Sequence, residues 1–112
     1  MPANLERKFQ LFGETAPELL IEIERARAHA LNTGFLDPSD VQFLQFVVYA
    51  GLQLEEATHT HARAALRLGK SAEQLIAAAG VIFVARGLPA FNLAARAILA
   101  AQQALAESEG DD

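Results

Sequence analysis

His61 is the residue of this chain best placed to do chemistry. It lies in the segment Gly51-Leu-Gln-Leu-Glu-Glu-Ala-Thr-His-Thr-His61-Ala-Arg63-Ala-Ala-Leu66-Arg-Leu-Gly69, in a sequence without a single cysteine. On a 3.6-residue period Leu54, Ala57, Ala65 and Leu68 share its face, while Glu55, His59 and Arg63 follow one another at i, i+4 on a more polar face. Two roles suit a titratable ring at a core-facing position. One is a core histidine whose nitrogens meet backbone carbonyls or water; the other is general acid–base work, with Glu56 as its helper. Glu56 lies five residues earlier and about 140° away on a straight helix, so the two would cooperate by bordering one cleft rather than by direct contact.

Other chemistries are poorly supported. His59 and His61 are about 200° apart around a helix and cannot chelate one ion from one face. Glu55 and His59 could share an ion at i, i+4, but a solvated side-chain pair explains them equally, and no metal site is expected. His29 aligns with Glu22 and Arg25 and reads as surface. Nucleophilic catalysis lacks a thiol and a Gly-x-Ser-x-Gly elbow. No glycine cluster precedes a helix to cradle phosphate, so no cofactor is expected either.

The elements that must position His61 are helices. Thr15-Ala-Pro-Glu18 has the form of a capping box, followed by Leu19, Leu20, Ile23, Ala26 and Ala30 at helical spacing. Asn32-Thr-Gly34 closes that helix. Asp37-Pro38 opens the next, with an N-cap aspartate and proline at the first helical position. Its interior, Phe43-Leu-Gln-Phe-Val-Val-Tyr49, would pass for a buried strand on β-branched content alone. Gly51 marks a break before the histidine helix, which runs to a C-cap glycine at Gly69. Ser71-Ala-Glu-Gln74 caps a helix whose interior, Leu75 to Ala85, is apolar all round and so must be central or buried at a subunit contact. A last helix is expected from about Pro89 to Leu105, and residues 107–112 form an acidic tail expected to be disordered.

Composition bounds the whole. At 112 residues the chain is expected to form a single domain, 1–112. Hydrophobic residues make up 52% and the mean hydropathy is +0.17, which excludes a disordered polymer and favours self-association. The net charge is −5, and no basic stripe is interleaved with aromatics, so nucleic acid is not an expected partner. The apolar run Val41–Leu54 is broken by Gln42, Gln45 and Gln53 and is shorter than the about 20 residues of a membrane span. The N-terminal residues lack a secretory apolar region, and a cysteine-free chain suits the cytoplasm.

The string His61-Ala-Arg63-Ala-Ala-Leu66, followed by a glycine, the Ser-Ala-Glu-Gln cap, a small-residue helix and Gly87-Leu-Pro-Ala-Phe-Asn92, resembles the carboxymuconolactone decarboxylase and alkylhydroperoxidase D-like family over roughly 37–105. The resemblance implies an all-α, multi-helical bundle assembled as trimers or hexamers with pockets near subunit contacts. In the peroxidase branch, a Cys-x-x-Cys-x-x-x-His motif works with an upstream glutamate. The matching positions here are Leu54, Ala57, His61 and Gln42, so three of four relay groups are replaced and thiol peroxidase chemistry is not expected.

The chain is more similar to the decarboxylase branch, with Glu55 and Glu56 before the histidine and Gly87-Leu88-Pro89-Ala90-Phe91-Asn92 after the apolar helix. That branch acts on a lactone bearing a carboxylate. The resemblance implies His61 as acid or base, with Arg63, or Arg86 or Arg96 of a neighbouring subunit, as the clamp on the carboxylate, and Asn92 as a further substrate-binding residue. Arg63 lies about 200° from His61 on the helix and could instead pair with Glu55 or Glu56. The segment before Asp37 matches no decarboxylase motif, and Phe91 makes any pocket near it more apolar. A non-catalytic oligomeric helical protein on the same scaffold is the alternative to an enzyme.

Overall fold

The computed structural model describes residues 3–110, and among them every regular element is a helix: α1 (Ala3–Thr15), α2 (Pro17–Leu31), α3 (Pro38–Gly51), α4 (Glu55–Arg67), α5 (Ala72–Arg86) and α6 (Leu88–Gly110). The fold class is all-α. The contacts divide the chain into two compact units, Met1–Phe35 and Leu36–Asp112.

The first unit is a helical hairpin in which α1 packs on α2. The expected capping box at Thr15 is not formed. Thr15 closes α1 instead, the Ala16 N–H bonds the Phe12 carbonyl at 2.7 Å, and Pro17 starts α2 without a side-chain cap. Helix α1 runs through Thr15, so the N-cap position of α2 falls on Ala16, which has no side chain able to accept from the first turn. The other end follows expectation, with Asn32 Nδ2 donating to the Ala28 carbonyl at 2.9 Å and Gly34 at φ +89°. No residue of α2 is buried within the chain.

In the second unit α3 packs on α4, α4 on α6 and α6 on α5, while α3 also touches α5 and α6. Asp37 caps α3 as expected: its carboxylate accepts from Ser39 N at 2.7 Å and Ser39 Oγ at 2.8 Å. The strand-like interior is helical because its apolar residues serve a helical core. Phe46 and Ala50, one turn apart, are both wholly buried, and tertiary burial outweighs β propensity. The break expected at Gly51 falls two residues later. Gln53 takes the left-handed conformation at φ +57°, and the N–H groups of Gln53 and Leu54 return to the carbonyls of Ala50 and Tyr49. That is a Schellman turn with glutamine where glycine is usual.

The second Schellman turn ends α4, with Gly69 at φ +112° and the Gly69 and Lys70 N–H groups bonded to Leu66 and Ala65. Lys70 then pairs with Asp40 at 2.6 Å and lies over the Phe43 ring, tying this turn to the start of α3. Ser71 and Gln74 make the full capping box of α5. Only Gly87, at φ +84°, separates α5 from α6, and α6 runs on to Gly110, so residues 107–110 of the expected disordered tail are helical. The core is built largely from alanines, including Ala50, Ala62, Ala65, Ala90, Ala94 and Ala97, around Phe46, Leu75 and Ile82. Small side chains let the helices approach closely, which leaves larger apolar residues at the flanks.

Candidate functional site around His61

Helix α4 is rotated from the orientation its sequence suggests. The residues it buries are Thr58, Ala62 and Ala65; of the expected stripe only Ala65 is among them, and Leu54, His61 and Leu68 are not. Leu54 and Leu68 stand about half exposed at the two caps, 48% and 51%. The centre of the buried stripe is about 65° from His61 at 100° per residue, so the histidine sits at the edge of the core and is half-buried. Both α3 and α6 pack on α4. Thr58 can be fully buried because its hydroxyl donates to the Leu54 carbonyl at 2.7 Å.

Helix α3 supplies the surroundings of the ring. Gln42 Oε1 lies 2.6 Å from His61 Nδ1, and the Tyr49 ring stacks on the imidazole with centroids 5.1 Å apart and planes 25° from parallel. Gln42 and Tyr49 are seven residues apart, two turns of one helix, and so share a face. Gln45 lies on the same arc of α3, and its buried Oε1 accepts no hydrogen bond among the described residues. His61 also borders an open, shallow cleft of about 560 Å³ along the first turns of α4, lined by Leu54, Glu55, Glu56, Ala57, Thr60 and His61. Glu56 and His61 thus border the same space despite their angular separation on α4. The lining carries two carboxylates and no cation.

The other expected site residues lie elsewhere within one chain. Arg63 is exposed, on the far side of α4 from His61. Arg86 Nε donates to the Gly51 carbonyl at 2.9 Å, closing the C-terminal end of α3, and lines a separate apolar groove between α3 and α5. Asn92 is exposed in the first turns of α6. Arg96 approaches Glu55, a residue of the cleft lining, at 3.9 Å in an exposed pair. No group of three or more potential metal ligands is found among the described residues.

The glycine–proline motif has a structural job. Gly87 adopts the positive φ that joins α5 to α6, Pro89 falls in the first turn of α6, and Ala90 is wholly buried. Phe91 meets Phe83 edge-on, with centroids 6.0 Å apart. Tyr49 was not anticipated from the sequence, and Gln42 entered only as a relay position. Their common face on α3 was the available signal.

A family model, the carboxymuconolactone decarboxylase family, matches residues 17–101. The chain belongs to that family. The match reaches back to Pro17, so it includes α2, where no decarboxylase motif was legible. No curated protein matches the sequence. Among solved structures, the chain is similar to the crystal structure of a protein from Burkholderia xenovorans LB400 provisionally named a carboxymuconolactone decarboxylase. The TM-score is 0.78 at 23% identity, over 100% of this chain and 85% of that one. At that identity the likeness establishes the fold. In this member of the carboxymuconolactone decarboxylase family, His61 meets Gln42 and Tyr49 of α3 and borders an open cleft with Glu56.

Proposed function

We propose that the protein is a small-molecule lyase or isomerase in which His61 transfers a proton to or from a lactone or related carboxylate. One observation carries this reading. His61 borders an open cleft together with Glu56, and its Nδ1 meets a side chain on another helix rather than a backbone carbonyl. A ring kept only for packing has no need of a cleft, whereas a proton-transfer group needs both a fixed orientation and access to substrate. Loss of carbon dioxide from a carboxylated lactone leaves an electron pair on carbon, and that carbon must be protonated; an imidazolium can supply the proton. Glu56 would assist at the cleft wall. Thiol peroxidase chemistry has no nucleophile in a chain without cysteine.

The carboxylate of such a substrate needs a cation, and Arg63, Arg86 and Asn92 stand away from the cleft of a single chain. The reading therefore includes self-association, with an arginine of a second copy completing the site. Support comes from the α3 and α5 faces, where Leu44, Val48, Leu52, Val81 and Val84 are all exposed, Val84 at 84%. The test is turnover of carboxymuconolactone, followed by loss of lactone carboxylate, for the wild type and for Glu56→Gln. The reading expects turnover by the wild type and a rate lower by about a hundredfold or more in the variant. A wild type inert toward carboxylated lactones, with no saturable binding of them, would refute it.

A further inference from the structure

A groove between α3 and α5 lies outside the His61 site and carries a single charged side chain. One part, about 330 Å³, reaches Arg86, and another, about 440 Å³, reaches Gln74; Val47 and Val81 line both, so the two parts are continuous. Ala78 and Ile82 are buried beneath it, while Leu44, Val48 and Val81 stand exposed along it. We infer that this groove binds a long-chain fatty acid, with the alkyl chain along the groove and the carboxylate on Arg86.

Arg86 is fixed for this role. Its Nε donates to the Gly51 carbonyl at 2.9 Å, and its stem lies against Gly51, where an added Cβ would stand 3.6 Å from Arg86 Cγ. The Nε bond occupies a carbonyl that would repel an anion, and it leaves the two Nη groups as a fork for a carboxylate. Among the described residues no carboxylate pairs with Arg86. At the Phe43 end the situation is the opposite: Lys70, over the Phe43 ring, is already paired with Asp40 at 2.6 Å. An anionic head is therefore favoured at one end only.

The dimensions select the tail. From Gln74 to Arg86, α5 advances about 18 Å at about 1.5 Å per residue. An extended chain covers about 3.3–3.6 Å per three bonds, so roughly fifteen bonds span the groove. Volumes of about 330 and 440 Å³ are those of small-ligand pockets. A helix, about 10–12 Å across with its side chains, would rest on the rim rather than enter. The groove is independent of His61, so a protein inert toward carboxylated lactones would still bind the acid.

The test is isothermal titration calorimetry of the wild type with saturated fatty acids from octanoate to octadecanoate, each below its micelle concentration. 1-Dodecanol serves as the uncharged counterpart of dodecanoate. Affinity is expected to rise by up to about fourfold per methylene and to level off near about sixteen carbons. Dodecanoate should bind about tenfold tighter than dodecanol, or more. Arg86→Met, which keeps the stem but not the fork, should bring dodecanoate down to the level of dodecanol or below. Ala77→Trp, which fills the far part of the groove, should make the affinity level off at a shorter chain.

Equal affinity for dodecanoate and dodecanol in the wild type would overturn the inference. No saturable binding, or an affinity that climbs through octadecanoate without levelling, would overturn it as well. So would binding that weakens as the mass in light scattering rises with protein concentration, because a second copy would then fill the groove. The comparison of acid with alcohol needs no variant, so it decides the matter even if Arg86→Met fails to fold.

Discussion

His61 illustrates how a ring that reads as core-facing in sequence comes to lie at the edge of the core. Its stripe on α4 reads as apolar, yet Thr58, Ala62 and Ala65 take the core, and a rotation of about 65° brings the ring to the edge, where α3 and a cleft can both reach it. Another titratable side chain makes a separate prediction. Asp37 has its carboxyl held below the usual carboxylate range, first by the Ser39 hydroxyl and then by the Ser39 N–H. A depressed pKa means that the unfolded chain takes up the proton first as pH falls. The contribution of Asp37 is therefore complete above the unfolded carboxylate's pKa, about 3.9, and is lost as pH drops through the lower folded value. Thermal melts across this acid range should show a shallower loss of stability for Asp37→Asn, because asparagine still caps a helix but does not titrate there. An unchanged acid limb would mean that the cap does not contribute.

Helix ends were legible in the sequence wherever the signal is a side chain acting on its own backbone. Asp37, Ser71 and Gly69 each do what their residue type allows locally, with no dependence on the rest of the fold. Thr15 failed because α1 continues through it and leaves Ala16 at the cap of α2, and Gly51 was displaced by Gln53 because nothing in glutamine's chemistry announces a left-handed turn. The rotation of α4 and the pairing of Tyr49 with His61 were hidden for a different reason: both depend on which faces α3 and α6 present, a tertiary matter. Two stability changes belong to this scale. Gln53→Gly should raise stability by about 1 kcal/mol, since glycine adopts positive φ without the steric cost borne by glutamine. Ser71→Ala should lower it by about 1 kcal/mol through loss of the capping box on α5. Urea titrations of the two variants check both signs, and a Gln53→Gly variant less stable than the wild type would contradict the first.

At the scale of the molecule, the apolar character of α5 expected from sequence divides in two. Leu75, Ala78, Ala79 and Ile82 enter the core, while Ile76, Val81, Phe83 and Val84 are exposed in the single chain. Val81 borders the exposed Leu44 and Val48 of α3, and Ile76 borders Leu99 of α6, so apolar side chains are left in water on both sides of α5. Light scattering should therefore give a mass that is a multiple of 12.1 kDa, and Val84→Glu should shift the population toward the monomer. A monomeric wild type at micromolar concentration would contradict this. No helix of the described residues is long and apolar enough to cross a membrane, so a bilayer-spanning helix does not account for that surface.

The central claim is that the cleft beside His61 is a proton-transfer site, and the most direct measurement is the rate of carboxymuconolactone consumption by His61→Gln at an unchanged oligomeric mass. The account predicts a loss of about a hundredfold to ten-thousandfold, the range typical of removing a general acid or base, with the mass preserved. A His61→Gln protein that turns over the lactone at the wild-type rate would contradict it.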